Sequence, residues 1–133
     1  MDSASAQEWL DRYLAAWQSY EREQIGELFS EDAVYRFHPY DEPVVGRRAV
    51  VEAWLGEGGH EGAPDRDEPG TYEAEYHPVA VDGDTVVATG RSAYREQPGG
   101  EVNEVYFNCF VMRFDADGRC VEFTEWFMLQ PEA

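Results

Sequence analysis

The sequence contains no lysine. Its 10 basic residues are all arginine, set against 28 aspartates and glutamates, for a net charge of −18. A sequence-independent grip on nucleic acid needs a basic patch that displaces phosphate counterions, and docking to an anionic membrane needs the same. Neither can be assembled from this composition, and the charge is read as a source of solubility. Cysteine is nearly absent: Cys109 and Cys120 are too few for a disulfide framework. No apolar run approaches the roughly 20 residues that span a bilayer. Met1-Asp2-Ser3-Ala4-Ser5 lacks the basic and apolar regions of a signal peptide, so a cytoplasmic location is expected. Gly-x-Gly-x-x-Gly and P-loop patterns are missing, as is a recognisable nucleophile context around any Ser or Cys, so no nucleotide cofactor is implied. His38, His60 and His77 have no metal-ligand spacing, and no metal site is expected.

What is present suits one domain over residues 1–133. Hydrophobic residues make up 43% of the chain and aromatics 14%, enough for a core and too many for disorder. Ser5 and Glu8 have capping-box spacing, and Trp9, Leu10, Tyr13, Leu14 and Trp17 behind them form one face of a helix. A shorter helix carries Ile25, Leu28 and Phe29 and is broken by Ser30-Glu31-Asp32. Residues 33–38 read as a strand stopped by Pro39, and Gly46 opens a third helix with Val50, Val51, Trp54 and Leu55 on its apolar side. Residues 56–70, rich in Gly, Pro and acid, form a long loop, read as a lid or as flexible filler. Four strands follow, separated by turn signals at Asp82-Gly83, Gln97–Gly100 and Asp115–Gly118. The class is α+β, in the order α-α-β-α-β-β-β-β: three helices packed on a mostly antiparallel, curved sheet.

Turn positions set an expected register. Phe114 facing Arg119 places Asn108 opposite Glu125, and Arg95 facing Val102 places Arg91 opposite Tyr106. One face then holds Arg91, Tyr106, Asn108, Phe110, Phe123, Glu125 and Phe127, an apolar surface with a polar cluster of Arg91, Asn108 and Glu125. The other holds Val86, Ala88, Val105, Phe107, Cys109, Val111, Trp126 and Met128. Both faces are apolar. Helices can cover one, and a second copy of the chain, in a homodimer, is expected to cover the other. His77 falls on the face opposite Arg91. Cys109 and Cys120 sit roughly 13 Å apart along the ladder, too far for a disulfide.

Three segments carry a resemblance: residues 25–35 (Ile-Gly-Glu-Leu-Phe-Ser-Glu-Asp-Ala-Val-Tyr), residues 46–54 (Gly-Arg-Arg-Ala-Val-Val-Glu-Ala-Trp) and residues 123–127 (Phe-Thr-Glu-Trp-Phe). Over nearly its whole length the chain resembles the nuclear transport factor two-like, or cone-fold, superfamily. That superfamily includes ketosteroid isomerase, limonene epoxide hydrolase, scytalone dehydratase and the SnoaL-like polyketide cyclases. The resemblance implies one deep, largely apolar pocket between helices and sheet. Compared with limonene epoxide hydrolase, Tyr35, Arg91 and Glu125 match pocket residues, while Ala93 and Phe37 stand where an Asp and an Asn are needed. Compared with ketosteroid isomerase, His38 occupies the position of the catalytic Asp.

The expected function is therefore that of a small-molecule pocket protein. As a cofactor-free enzyme it would move protons on a small, mostly apolar organic substrate, as an isomerase, cyclase, dehydratase or hydratase. The alternative is a non-catalytic ligand-binding or dimerisation module of the same fold. Glu125 is the candidate acid or base, since a carboxylate between Phe123 and Phe127 is costly unless paired; it reads equally as half of a structural pair with Arg91. Arg91 would tune it and Asn108 orient it, Tyr35 would donate to a ligand oxygen, and His38 is either a second base or a strand-end histidine. Tyr106, Phe37, Trp17, Trp54, Phe110, Phe123 and Phe127 are the candidate walls of the pocket, beside Asn108.

Overall fold

A computed structural model describes residues 1–132. The elements are α1 (Ser3–Ser19), α2 (Arg22–Glu27), β1 (Phe29–Arg36), β2 (Val44–Val45), α3 (Arg47–Trp54), β3 (Tyr72–Asp82), β4 (Thr85–Arg95), β5 (Val102–Phe114) and β6 (Cys120–Leu129). One sheet contains all six strands in the order β2-β1-β6-β5-β4-β3. Only β1 and β6 run parallel, and the sheet curls around the helices. Among the described residues no helix is long and apolar enough to cross a membrane.

The expected capping box is replaced by a simpler cap. Asp2 stands at the N-cap of α1 and accepts the backbone N–H of Ser5 at 2.8 Å, so the helix starts three residues earlier than Glu8 would have it. Phe29 belongs to β1 rather than to the second helix, and residues 30–32 lie within the strand. The stripe on α1 is buried as its spacing requires: Trp9 and Leu10 are fully enclosed, and the Trp9 indole N–H donates to the Leu28 carbonyl at 3.0 Å. α1 ends at Tyr20, a non-glycine residue in the left-handed region (φ 51°) whose N–H returns to the Ala16 carbonyl.

Three irregularities, one in each hairpin, decide which side chains face inward. At the β4–β5 turn Arg95 pairs with Val102, as the turn predicts. The next pair is Tyr94 with Glu104, so Asn103 is an extra residue on β5. Because side chains alternate along a strand, one inserted residue exchanges the two faces of β4 relative to β5. Arg91 therefore pairs with Phe107 and is exposed on the outer face, and Ser92, paired with Tyr106, is the inward residue. The same exchange puts Val86 and Ala88, expected on the outer face, in the core with no exposure. Val79 plays the same part between β3 and β4, and it places His77 on Arg91's face rather than the opposite one. Between β5 and β6, Val121 is the extra residue. The ladder moves by two positions from expectation, pairing Asn108 with Phe127 and Phe110 with Glu125, and an even shift leaves the faces unchanged.

Phe110 and Phe123 are expected pocket walls that the structure places elsewhere. Both are 0% exposed and pack in the core, with Phe123 stacked against Tyr35 at 4.5 Å between ring centroids and against Tyr13 at 5.8 Å. They support the rings that line the pocket and do not line it themselves. Gly90 marks a close approach: a Cβ there would collide with the Glu75 carbonyl oxygen, and its absence lets β3 bring the Tyr76 ring inward.

Candidate functional site

Helices and sheet leave a cavity of about 390 Å³ open at one end, in the size range of small-molecule sites. Of the expected site residues, Glu125, Tyr35, His38, Asn108, Tyr106, Phe37, Trp17, Trp54 and Phe127 line it. Arg91 does not, for the reason given by Asn103, and it sits on the outer face near Glu73 and Glu75.

At the centre of the sheet wall, Asn108 Nδ2 donates to Glu125 Oε2 at 2.8 Å, and Asn108 Oδ1 accepts from Ser92 Oγ at 3.1 Å. Ser92 and Asn108 are buried, and the three side chains stand on β4, β5 and β6 in turn. The expected pairing of Glu125 with Arg91 is thus replaced by hydrogen bonds that run from Ser92 through Asn108 to Glu125. This decides the state of the carboxyl. An arginine in contact would hold Glu125 ionised, whereas burial among aromatic rings, opposed only by the Asn108 amide, pushes its pKa up from 4.5 to about 7. Part of the Glu125 side chain remains accessible where it lines the cavity.

Tyr13 on α1, Tyr35 on β1 and Tyr76 on β3 also line the cavity. Burial raises the pKa of each well above the usual phenol value, with the nearby Glu125 charge contributing, so all three remain protonated donors at neutral pH. Tyr13 and Trp54 approach the Tyr35 oxygen and partly offset its shift. The Trp54 indole N–H is buried near the Tyr35 hydroxyl and completes no hydrogen bond.

His38 follows β1, its ring stacked on Tyr40 and 5.2 Å from Phe127. Its Nδ1 lies 2.8 Å from Asp41 Oδ2. A carboxylate can only accept, so Nδ1 carries the proton and Nε2 is left free.

The loop 56–70 reaches the cavity. Pro64, Asp65 and Asp67 line the cavity. Asp67 accepts the Trp17 indole N–H at 3.1 Å, and its backbone N–H donates to the Tyr20 hydroxyl at 2.9 Å. Burial raises the Asp67 pKa, and the hydrogen bonds from Trp17 and Tyr20 oppose that rise. The left-handed backbone at Tyr20 is thus held where its hydroxyl ties the loop to the end of α1. Sequence reasoning missed Ser92, Asp67, Tyr20, Tyr94 and Glu104. Ser92 depends on the Asn103 bulge, and Asp67 on a loop whose acidity reads as solvation.

The family model for the SnoaL-like domain matches residues 10–123. No functionally curated protein matches the sequence. Among solved structures, the chain is similar to an NTF-2 like protein of unknown function from Burkholderia xenovorans, at 17% identity and TM-score 0.67, over 98% of this chain and 88% of that one. It is similar to a proposed ketosteroid isomerase from Kribbella flavida, at 15% identity and TM-score 0.66, over 99% and 84%. It is also similar to an LEH-like epoxide hydrolase from M. tuberculosis, at 18% identity and TM-score 0.63, over 95% and 84%. At these identities the likeness establishes the fold and leaves the reaction open, because this fold carries many chemistries.

Proposed function

From the premise that the chain belongs to the SnoaL-like domain family, we propose that it binds a small, largely apolar organic molecule in its cavity and moves a proton on it without a cofactor. The observation that carries this reading is Glu125, a carboxyl among aromatic rings with no cation beside it and a pKa of about 7. Such a group is present in both protonation states near neutral pH, as a general acid or base requires. Ionised Glu125 takes a proton from carbon beside a ligand carbonyl, and the charge that develops on the carbonyl oxygen is met by the Tyr35 hydroxyl. Return of the proton from Glu125 to a second carbon completes an isomerisation; its delivery to a β-hydroxyl that departs as water, with formation of the C=C bond, completes a dehydration. Asn108, held by Ser92, is a positioning residue for Glu125. His38, oriented by Asp41, is a second acid–base group on the same cavity.

The test needs no knowledge of the product. Aryl ketones incubated with the protein in deuterium oxide are followed by NMR for exchange at the α-carbon. Exchange that depends on the protein and vanishes in Glu125→Gln supports the reading; exchange unchanged in Glu125→Gln contradicts it.

We also propose a homodimer through the outer sheet face. Phe107, Trp126 and Met128 on that face are 49%, 43% and 76% exposed in the single chain, beside partly buried Val105 and Cys109. An apolar surface of this kind on a soluble domain marks an interface. A pocket that binds ligands without exchanging their protons, in a stable dimer, would favour the non-catalytic reading.

A further inference from the structure

The cavity wall carries charge of one sign. Asp65, Asp67, Glu104 and Glu125 line it, and among the described residues no arginine does. Among the described lining residues His38 is the one basic group, and Asp41 already holds its Nδ1 at 2.8 Å. The Asn103 bulge is what leaves the wall in this state, since without it Arg91 would face inward. Between the carboxylates the wall is aromatic, and the faces of Trp and Tyr rings attract cations. One such contact exists at the lip, where the Arg66 guanidinium carbon lies 4.6 Å from the Tyr20 ring centroid. The nine-tenths-buried Trp54 presents an N–H that lies near the Tyr35 hydroxyl and completes no hydrogen bond. An acidic ligand would be repelled by the carboxylates. A pure hydrocarbon would leave the Trp54 donor unpaired and Asp67 desolvated without a counter-charge, and both carry a cost.

We propose that the cavity takes an organic cation: an amine or quaternary ammonium group on an apolar body that also bears an oxygen. The ammonium lies among the aromatic faces and carboxylates toward the mouth, and the oxygen meets Tyr35 and Trp54. This rests on the cavity being the ligand site and adds the charge of the ligand.

Three aryl ketones separate the possibilities: phenacyltrimethylammonium, its neutral isostere 3,3-dimethyl-1-phenylbutan-1-one, and the anion 3-benzoylpropanoate. Binding to the full chain is read by quenching of indole fluorescence, since Trp17 and Trp54 line the cavity, and by calorimetry, at an ionic strength that screens general attraction to an acidic protein. The cation should bind about tenfold tighter than the neutral ketone or better, and the anion most weakly. Asp67→Asn and Glu104→Gln should each reduce the ratio of cation affinity to neutral-ketone affinity severalfold. Glu104 is exposed, so its variant folds even where loss of the Asp67 charge loosens the loop. Equal binding of cation and neutral ketone, or tighter binding of the anion, overturns this inference while the ligand site stands. A cation preference that survives both variants combined overturns it as well. If none of the three binds at millimolar concentration, the reading of the cavity as a ligand site falls with it.

Discussion

Replacing Glu125 by glutamine should make the protein more stable above neutral pH and leave it nearly unchanged in acid. In the native state the carboxyl keeps its proton until about pH 7, against 4.5 for an unperturbed glutamate. Between those values the native state binds more protons than the unfolded state, so stability falls as pH rises from 4.5 toward 7 and levels off above it. At 1.36 kcal/mol for each pH unit, the ionised carboxyl costs the native state about 3 kcal/mol at pH 8 and nothing at pH 4. Glutamine keeps the shape and still accepts from Asn108 Nδ2, so it removes the cost without opening a cavity. Urea unfolding of both proteins from pH 4 to pH 8 reads the difference, and thermal unfolding should show a gap on the order of 10 °C at pH 8. All other titrating groups are common to the two proteins and cancel. A difference that stays flat with pH, or a variant less stable at pH 8, would refute the reasoning.

Further expected outcomes concern other parts of the molecule. Arg91→Ala should leave the ionisation of Glu125 unchanged, because Arg91 faces outward; a shift in the Glu125 titration would mean that the Asn103 bulge is misplaced. Gly90→Ala should cost about 3 kcal/mol or more in urea unfolding, since its Cβ meets the Glu75 carbonyl oxygen across the ladder. Light scattering should report a dimer at micromolar concentration that tightens with salt, as screening relieves repulsion between chains of charge −18, and Phe107→Glu should make it a monomer. Treatment with chelator should leave the melting temperature where it was; a reproducible fall of several degrees would reveal a metal site.

Much of this architecture was legible in the sequence, and the part that was not is specific. The stripe Trp9, Leu10, Tyr13 marks α1 because a helix buried on one side repeats its apolar residues at the helical period. Turn residues locate all three hairpins, and the Arg95–Val102 pair lies where the turn predicts. Asn108 and Glu125 share a face despite a two-residue error in register, because strand faces alternate with period two. Arg91 fails for the same reason in reverse, since a single extra residue inverts the alternation. Asn103 has no local signature: it is not glycine, and its neighbours Val102 and Glu104 read as ordinary strand. The bulge turns Val86 and Ala88 into the core, a comparison of whole faces that becomes visible only when the sheet is assembled. The chemistry follows that choice, with Ser92 in place of Arg91 and hydrogen bonds through Asn108 in place of a salt bridge.

The most direct test of this account is the titration of Glu125 itself. Carboxyl carbon NMR of glutamate-labelled protein, with the resonance assigned by its loss in Glu125→Gln, should show one carboxyl titrating near pH 7 while exposed glutamates titrate near their usual value. A Glu125 that titrates at or below 4.5 would mean that a cation reaches it, and the proposed acid–base role would fall with the geometry that supports it.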